Sequence, residues 1–195
     1  MATGRINKHR EDLELISNYD LVASAHALLG GIELDVASSK IANTYVEADS
    51  YLTPTDDGLN EVEWEGTVYL FPPSGTYFWD KKMDRWKKTR SYAGSLVSSH
   101  AVWWRKLYKT WLKGDIKHAL YFSNCPDMFR YEQRIFDFPV CILRTVPKLV
   151  KNTSEGIGEH QTCTSFAVYL PPNDNPTEAI ENFIELYSEK GRILC

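Results

Sequence analysis

The sequence has no close pair of cysteines. Its four, Cys125, Cys141, Cys163 and Cys195, are scattered along 195 residues, whereas disulfide scaffolds are denser and structural zinc sites use short-spaced ligand pairs. His160 and Cys163 lie three apart, but no second pair joins them, so no metal is expected. The N-terminus, MATGRINKHREDLELI, lacks the apolar core of a signal peptide, and no apolar run approaches the ~18 residues a membrane helix needs. The sequon Asn152-Thr153-Ser154 therefore carries no weight, and the expectation is a soluble, cytoplasmic chain with no membrane partner. Internal repeats, low-complexity tracts and long linkers are also missing. With 43% hydrophobic and 25% charged residues, wholesale disorder, collagen and coiled coil are excluded. The length suits one domain, residues 1–195.

An excess of positive charge is missing as well. The net charge is −4 and the pI near 5.7, which argues against nucleic acid until the distribution is considered. From Asp80 to Leu120 eleven basic residues (Lys81, Lys82, Arg85, Lys87, Lys88, Arg90, Arg105, Lys106, Lys109, Lys113 and Lys117) face only Asp80, Asp84 and Asp115. That stretch carries +8 and the remainder −12. Tyr77, Phe78, Trp79, Trp86, Tyr92, Trp103 and Trp104 are interleaved with it. Basic side chains neutralise phosphates, and aromatics stack on bases or wedge between them. Over 99–113 the pattern is equally that of a solvated helix face above core aromatics. Over 76–92 helical periodicity is poorer, and nucleic-acid contact stands level with surface decoration.

Five short apolar runs read as buried strands: Gly31–Val36, Thr67–Phe71, His118–Phe122, Pro139–Leu143 and Cys163–Leu170. In 99–113, Ala101, Trp104, Leu107, Tyr108, Trp111 and Leu112 share one helical face, and Arg105, Lys106, Lys109 and Lys113 the other. Near the C-terminus Asn175-Pro176 supplies a cap and a first-turn proline. Ala179, Ile180, Phe183, Ile184 and Tyr187 follow as an apolar stripe, with Gly191 as the stop. Alternating strands and helices predict an α/β domain with a mostly parallel sheet.

Two motifs carry candidate chemistry. In Gly30-Gly-Ile-Glu-Leu-Asp35-Val-Ala-Ser-Ser-Lys-Ile-Ala-Asn43, an acid leaves a strand into small residues, where ligands of open α/β sheets bind. The same run also fits an ordinary turn and helix start. In Tyr69-Leu-Phe71-Pro72-Pro73-Ser74-Gly75, two prolines after a strand fix an extended path without donors. Such a loop can present groups to a planar substrate or be purely structural, as Leu170-Pro-Pro-Asn173 can be.

Taken together, GGIELDVASSKIAN and YLTPTDDGLNEVEWEGTVYLFPPSG resemble the phage- and plasmid-borne Dam-like DNA N-6-adenine methyltransferases. The matching features are a Leu-Asp-x-Ala-Ser strand end and an Asn a few residues on. Asp-Gly-Leu, a Trp-x-Gly before a strand and a di-proline loop follow. The match runs from about Leu28 to Gly75 and continues more weakly through 104–122 and 163–172. The resemblance implies a Rossmann-like fold, S-adenosylmethionine (SAM) as methyl donor and DNA as partner, in a bacterial or phage-infected cell. It assigns Asp35, Ala37, Ser38 and Asn43 to the cofactor region, together with Asp57 of the Asp57-Gly58 turn. The catalytic loop falls on Phe71, Pro72, Pro73 and Ser74. In the family, an Asn or Asp before the prolines accepts a hydrogen bond from the target amine, and an aromatic in fourth place stacks on the flipped base; here those places hold Phe71 and Ser74. Tyr77, Phe78 or Trp79 can supply stacking, and Asn124 an acceptor. Relatives pass quickly from this loop into the next helix, so 76–98 reads as an aromatic, basic insert. Lys81, Lys82, Arg85, Lys87, Lys88 and Arg90 are its candidate DNA contacts. The leading expectation is adenine N-6 methylation; the alternatives are an inactive protein of this fold that binds DNA or cofactor, and methylation of another substrate.

Overall fold

The computed structural model describes residues 14–89, 94–154 and 156–195. The chain enters through strand β1 (Glu14–Ile16) and helix α1 (Tyr19–Leu29). The Asn18 side chain caps α1 by accepting from Leu21 N–H at 3.1 Å. Strand β2 (Leu34–Asp35), the one-turn α2 (Asn43–Val46), β3 (Ser50–Tyr51) and β4 (Gly66–Leu70) follow. Next come β5 (Thr76–Asp80), β6 (Arg85–Thr89), β7 (Val97–Ser98), helix α3 (Ser99–Lys113) and β8 (Ile116–Ser123). A short α4 (Met128–Tyr131) and a 3-10 turn (Gln133–Asp137) lead to β9 (Val140–Leu143), β10 (Lys148–Thr153), β11 (Gly156–Gln161) and β12 (Phe166–Leu170). Helix α5 (Pro176–Tyr187) and β13 (Gly191–Leu194) complete the chain.

The central sheet has the order β13-β9-β12-β8-β4-β2-β3. Alternate side chains of its inner strands feed two apolar layers. Val68, Leu70, Ala119, Tyr121, Val168 and Leu170 pack with Trp104 and Leu107 of α3. Tyr69, Phe71, Leu120, Phe122, Ala167 and Tyr169 pack with Ala25 and Leu28 of α1 and with Phe183 and Tyr187 of α5. Each buried large side chain contributes roughly 1.5–3 kcal/mol of apolar transfer, so this sandwich rigidly fixes the strand ends.

The expected Rossmann-like, mostly parallel sheet is not what the chain forms. Among the described residues three strand pairings are parallel, β2 with β3, β2 with β4 and β4 with β8; seven are antiparallel. The protein is a mixed α/β structure with two further antiparallel sheets, β1-β10-β11 and β6-β5-β7. A parallel neighbour needs a crossover of a dozen or more residues, usually a helix. Between β9 and β12 the chain makes the β10–β11 hairpin instead, and β12 returns antiparallel, between β8 and β9. The apolar runs 139–143 and 163–170 reported burial on both faces but not direction.

Smaller expectations also change. Helix α3 has the predicted bounds, yet Leu112 is 57% exposed and Lys106 is half-buried rather than solvated. Helix α5 ends before Gly191, which lies in β13 where a Cβ would meet the Ile142 carbonyl oxygen at 2.1 Å. The carbonyl of Pro171 in the second di-proline accepts from Trp111 Nε1–H at 2.7 Å.

Candidate functional site

Strands β2, β3, β4 and β8 run parallel, so their C-terminal ends lie at one edge of the sheet. Backbone bonds there spread the chain across its neighbours: Val36 N–H donates to Tyr69 O at 3.3 Å and Ser38 N–H to Leu52 O at 2.8 Å. A cleft of about 710 Å³ opens over these ends, a size suited to a small-molecule site.

One wall is the exit from β2. Asp35 is 4% exposed and accepts from Ala37 N–H at 3.3 Å. Burial pushes its carboxyl up to about 6, against the opposing pull of Ser38 and Ala37. Ser38 Oγ is buried and reaches no hydrogen-bond geometry. Below them Ser17 Oγ and Tyr69 Oη share a 2.5 Å hydrogen bond.

A second wall is the loop 52–60. Gly58 lies so close to the end of β2 that a Cβ would meet Val36 O at 2.8 Å. Asp57 is left-handed (φ 48°) and pairs with Arg85, whose guanidinium also reaches Glu61 at 3.1 Å. Lys106 of α3 holds this loop from behind: its ammonium donates to Gly58 O (2.7 Å), Leu59 O (3.1 Å) and Val62 O (2.7 Å), over the Trp64 ring. Burial pushes the Lys106 amine down to about 8, opposed by Glu63 and Asp57.

The di-proline loop and the start of α3 form the far side. Phe71 is buried and meets Phe122 edge-on at 5.0 Å, while Pro72, Pro73 and Ser74 line the cleft. Tyr77, Trp103, His100 and Asn124 line it as well. Burial raises the Tyr77 phenol; the Trp103 and Ser99 side chains near its hydroxyl oppose the shift. Neither Trp103 Nε1 nor Ser99 Oγ attains hydrogen-bond geometry. His100 is 6% exposed, its Nδ1 2.9 Å from Ser123 Oγ, and burial pushes the imidazole down to about 4.

Strands β5 and β6 contribute the roof. Tyr77 and Arg85–Lys88 face the cleft, and Trp79 meets Trp86 across the β5–β6 pair, ring centroids 5.3 Å apart. Lys87 pairs with Asp80 at 2.7 Å. Lys81 and Lys82 are exposed at the hairpin turn, outside the cleft and without an ion pair among the described residues. Arg90 lies outside the described residues.

The structure thus brings Asp35, Ala37, Ser38 and Asp57 together with Phe71–Ser74, Arg85, Lys87 and Lys88. It does not bring Asn43, whose amide staples a turn by donating to Ala48 O (3.1 Å) and accepting from Ala48 N–H (2.9 Å). Sequence reasoning names Trp103 only among the aromatics of the basic stretch, and misses His100 and Asn60 as cleft residues and Lys106 as the brace behind them. Each lies where composition reads as helix or loop, and only the tertiary fold places it at the site. Among the described residues no group of three or more His, Cys, Asp or Glu could hold a metal ion, and no helix is long and apolar enough to cross a membrane. No protein-family model matches the chain, and no curated protein or solved structure shows significant similarity to it.

Proposed function

We propose that this chain is a SAM-dependent methyltransferase acting on DNA, with the exocyclic N-6 amine of adenine as methyl acceptor. The observation that supports it most is convergence. The motif residues read as donor-binding (Asp35, Ala37, Ser38) and those read as acceptor-binding (Phe71–Ser74) line one cleft at the ends of parallel strands, where ligands of such sheets bind. The reading rests on this site and not on fold class, since fold does not dictate function.

The cleft residues fit the donor. Asp35 is a buried carboxylate that a cationic or hydroxyl-bearing ligand would satisfy, and Ser38 Oγ is a buried hydroxyl without a partner. Val36 and Leu52 offer apolar surface beside them. When bound, SAM supplies an electrophilic methyl group on a positively charged sulfur. The chain's part is to align the amine with that methyl and exclude water, which is where most of the acceleration of such a transfer lies. The exposed Lys81 and Lys82, at the tip of the hairpin that roofs the cleft, suit a phosphate backbone.

One observation favours a second reading, a binding protein without methyl transfer. Phe71 packs on Phe122 and offers no acceptor for an amine. Incubation with labelled SAM and an adenine-containing duplex decides between them. Incorporation into adenine that disappears in Asp35→Ala supports the enzyme. Salt-dependent DNA binding with no incorporation would transfer the proposal to the binding protein.

A further inference from the structure

We infer that His100 is the residue that accepts the hydrogen bond, and then the proton, of the substrate amine, in place of the side chain that Phe71 cannot provide. The inference rests on the methyltransferase reading above and assigns a catalytic residue within it.

Two independent tethers bring the imidazole to the di-proline loop. Strands β4 and β8 pair with Leu70 opposite Tyr121, Phe71 meets Phe122 one residue further on, and Ser123 follows at the end of β8. Ser123 Oγ holds His100 Nδ1 at 2.9 Å. From the other side, Gly75 O accepts from Ser99 N–H at 2.9 Å, which ties the end of the loop to the first turn of α3. Phe71 itself turns into the layer beneath α1 and α5, and the polar group at this end of the cleft comes from α3.

The hydrogen-bond network accommodates the tautomer this role requires, with the proton on Nδ1. Ser123 Oγ accepts from Cys125 N–H at 3.1 Å, and Tyr121 Oη–H donates to His100 O at 3.3 Å. In that tautomer Nδ1–H donates to Ser123 Oγ at 2.9 Å, with Tyr121 Oη 3.5 Å from the same nitrogen. The Nε2 lone pair is then left free, and Nε2 has no partner among the described residues. Burial keeps the ring neutral near pH 7. Tyr77 and Trp103 line the same cleft with aromatic surface, and the Asn124 side-chain amide, also without a partner among the described residues, follows the end of β8. The subsite therefore suits a planar heterocycle bearing an amine.

The step balances. The amine nitrogen forms a bond to the methyl carbon as the methyl–sulfur bond breaks, and that electron pair stays on sulfur, leaving a neutral thioether. The nitrogen is left with a positive charge and one surplus proton. That proton passes to His100 Nε2 and from the imidazolium to water. An alkylated heteroaromatic amine is a far stronger acid than imidazolium, so the transfer runs downhill.

The test uses the full chain and the variants His100→Asn and His100→Gln. Both are expected to bind S-adenosylhomocysteine within about 2-fold of wild type and to bind a 2-aminopurine duplex normally, while single-turnover methylation of an adenine duplex falls ~10²–10³-fold. Ser123→Ala, which frees the ring, is expected to lose about 10-fold in rate at unchanged donor affinity. In wild type labelled with ¹⁵N-histidine, the Nε2 resonance absent from His100→Gln is expected to shift when the adenine duplex joins the protein–S-adenosylhomocysteine complex. Methylation within about 3-fold of wild type in both variants, or an unmoved Nε2 resonance, overturns the assignment and leaves the methyltransferase reading standing. A wild-type protein that neither binds S-adenosylhomocysteine nor transfers methyl overturns both.

Discussion

The side-chain amide of Asn60 pairs with both backbone groups of Trp86: Nδ2 donates to the carbonyl at 3.1 Å and Oδ1 accepts from the N–H at 2.9 Å. Asn60 imitates one residue of a neighbouring strand and latches the β5–β6 hairpin over the cleft. Replacing it with Ala leaves two half-buried backbone groups without partners, at a cost of about 1–2 kcal/mol. The expected outcome of Asn60→Ala is faster amide hydrogen exchange confined to 76–89 and a weaker affinity for duplex. Unchanged exchange over the hairpin would show that Asp57, Arg85 and Glu61 suffice.

Asp35 and His100 tilt stability against pH in opposite senses. The Asp35 carboxyl is raised from 3.8 to about 6 by burial; its protonated form is favoured in the fold, so its contribution is full below about 4 and is lost as pH rises through about 6. His100 is lowered from 6.5 to about 4; its contribution is present above about 6.5 and lost as pH falls through about 4. The windows overlap, and between pH 4 and 6 the two slopes oppose each other. Asp35→Asn is expected to raise stability at pH 8 by ~1–3 kcal/mol with little gain at pH 4, and to abolish donor binding. His100→Gln should steepen the loss of stability from pH 4 to 6. Urea midpoints at pH 4, 6 and 8 test both.

Lys106 joins α3 to the loop bearing Asp57 and Asn60. Lys106→Met keeps the aliphatic stem against Trp64 but leaves the carbonyls of Leu59 and Val62 without that donor and Gly58 O with one donor fewer. A loss of about 1–3 kcal/mol is expected, with faster exchange over 57–62 and a larger Kd for S-adenosylhomocysteine. A variant of wild-type stability and affinity would mean that Trp64, whose Nε1–H also donates to Gly58 O at 3.0 Å, fixes the loop unaided.

The basic insert divides into paired and unpaired cations. Arg85 and Lys87 are engaged by Asp57, Glu61 and Asp80, whereas Lys81 and Lys82 have no ion pair among the described residues. Removing one cation that neutralises a phosphate reduces the slope of log K against log salt by about 0.9. Lys81→Ala with Lys82→Ala is expected to flatten that slope by about 2, and Lys87→Ala by less than 1. Equal slopes in all three proteins would return the hairpin tip to simple surface.

The sequence made the apolar strands and the helices α3 and α5 legible because their periodicity is strong, but not α1; the resemblance grouped Asp35–Ser38 with the di-proline loop. Strand direction was not legible, because runs such as 166–170 are buried on both faces whichever way they point. Short polar strands escaped too. Strand β6, Arg-Trp-Lys-Lys-Thr, reads as a charged surface, and its strand identity comes from pairing with β5. Asn43 was assigned to the cofactor region by the family resemblance; its amide is spent on Ala48. His100 gave no local signal at all, since its role depends on Ser123, a partner 23 residues away.

The excursion 76–98 closes on itself at its base, where Thr76 pairs with Ser98 and Gly75 O accepts from Ser99 N–H. The chain thus departs and returns across one strand spacing, about 5 Å. In topological terms it is a cassette plugged into two adjacent sockets. A tip of different length or charge at 81–84 fits the same sockets without disturbing the Arg85–Asp57 and Trp86–Asn60 contacts, so the outer surface can be exchanged while the cleft keeps its roof.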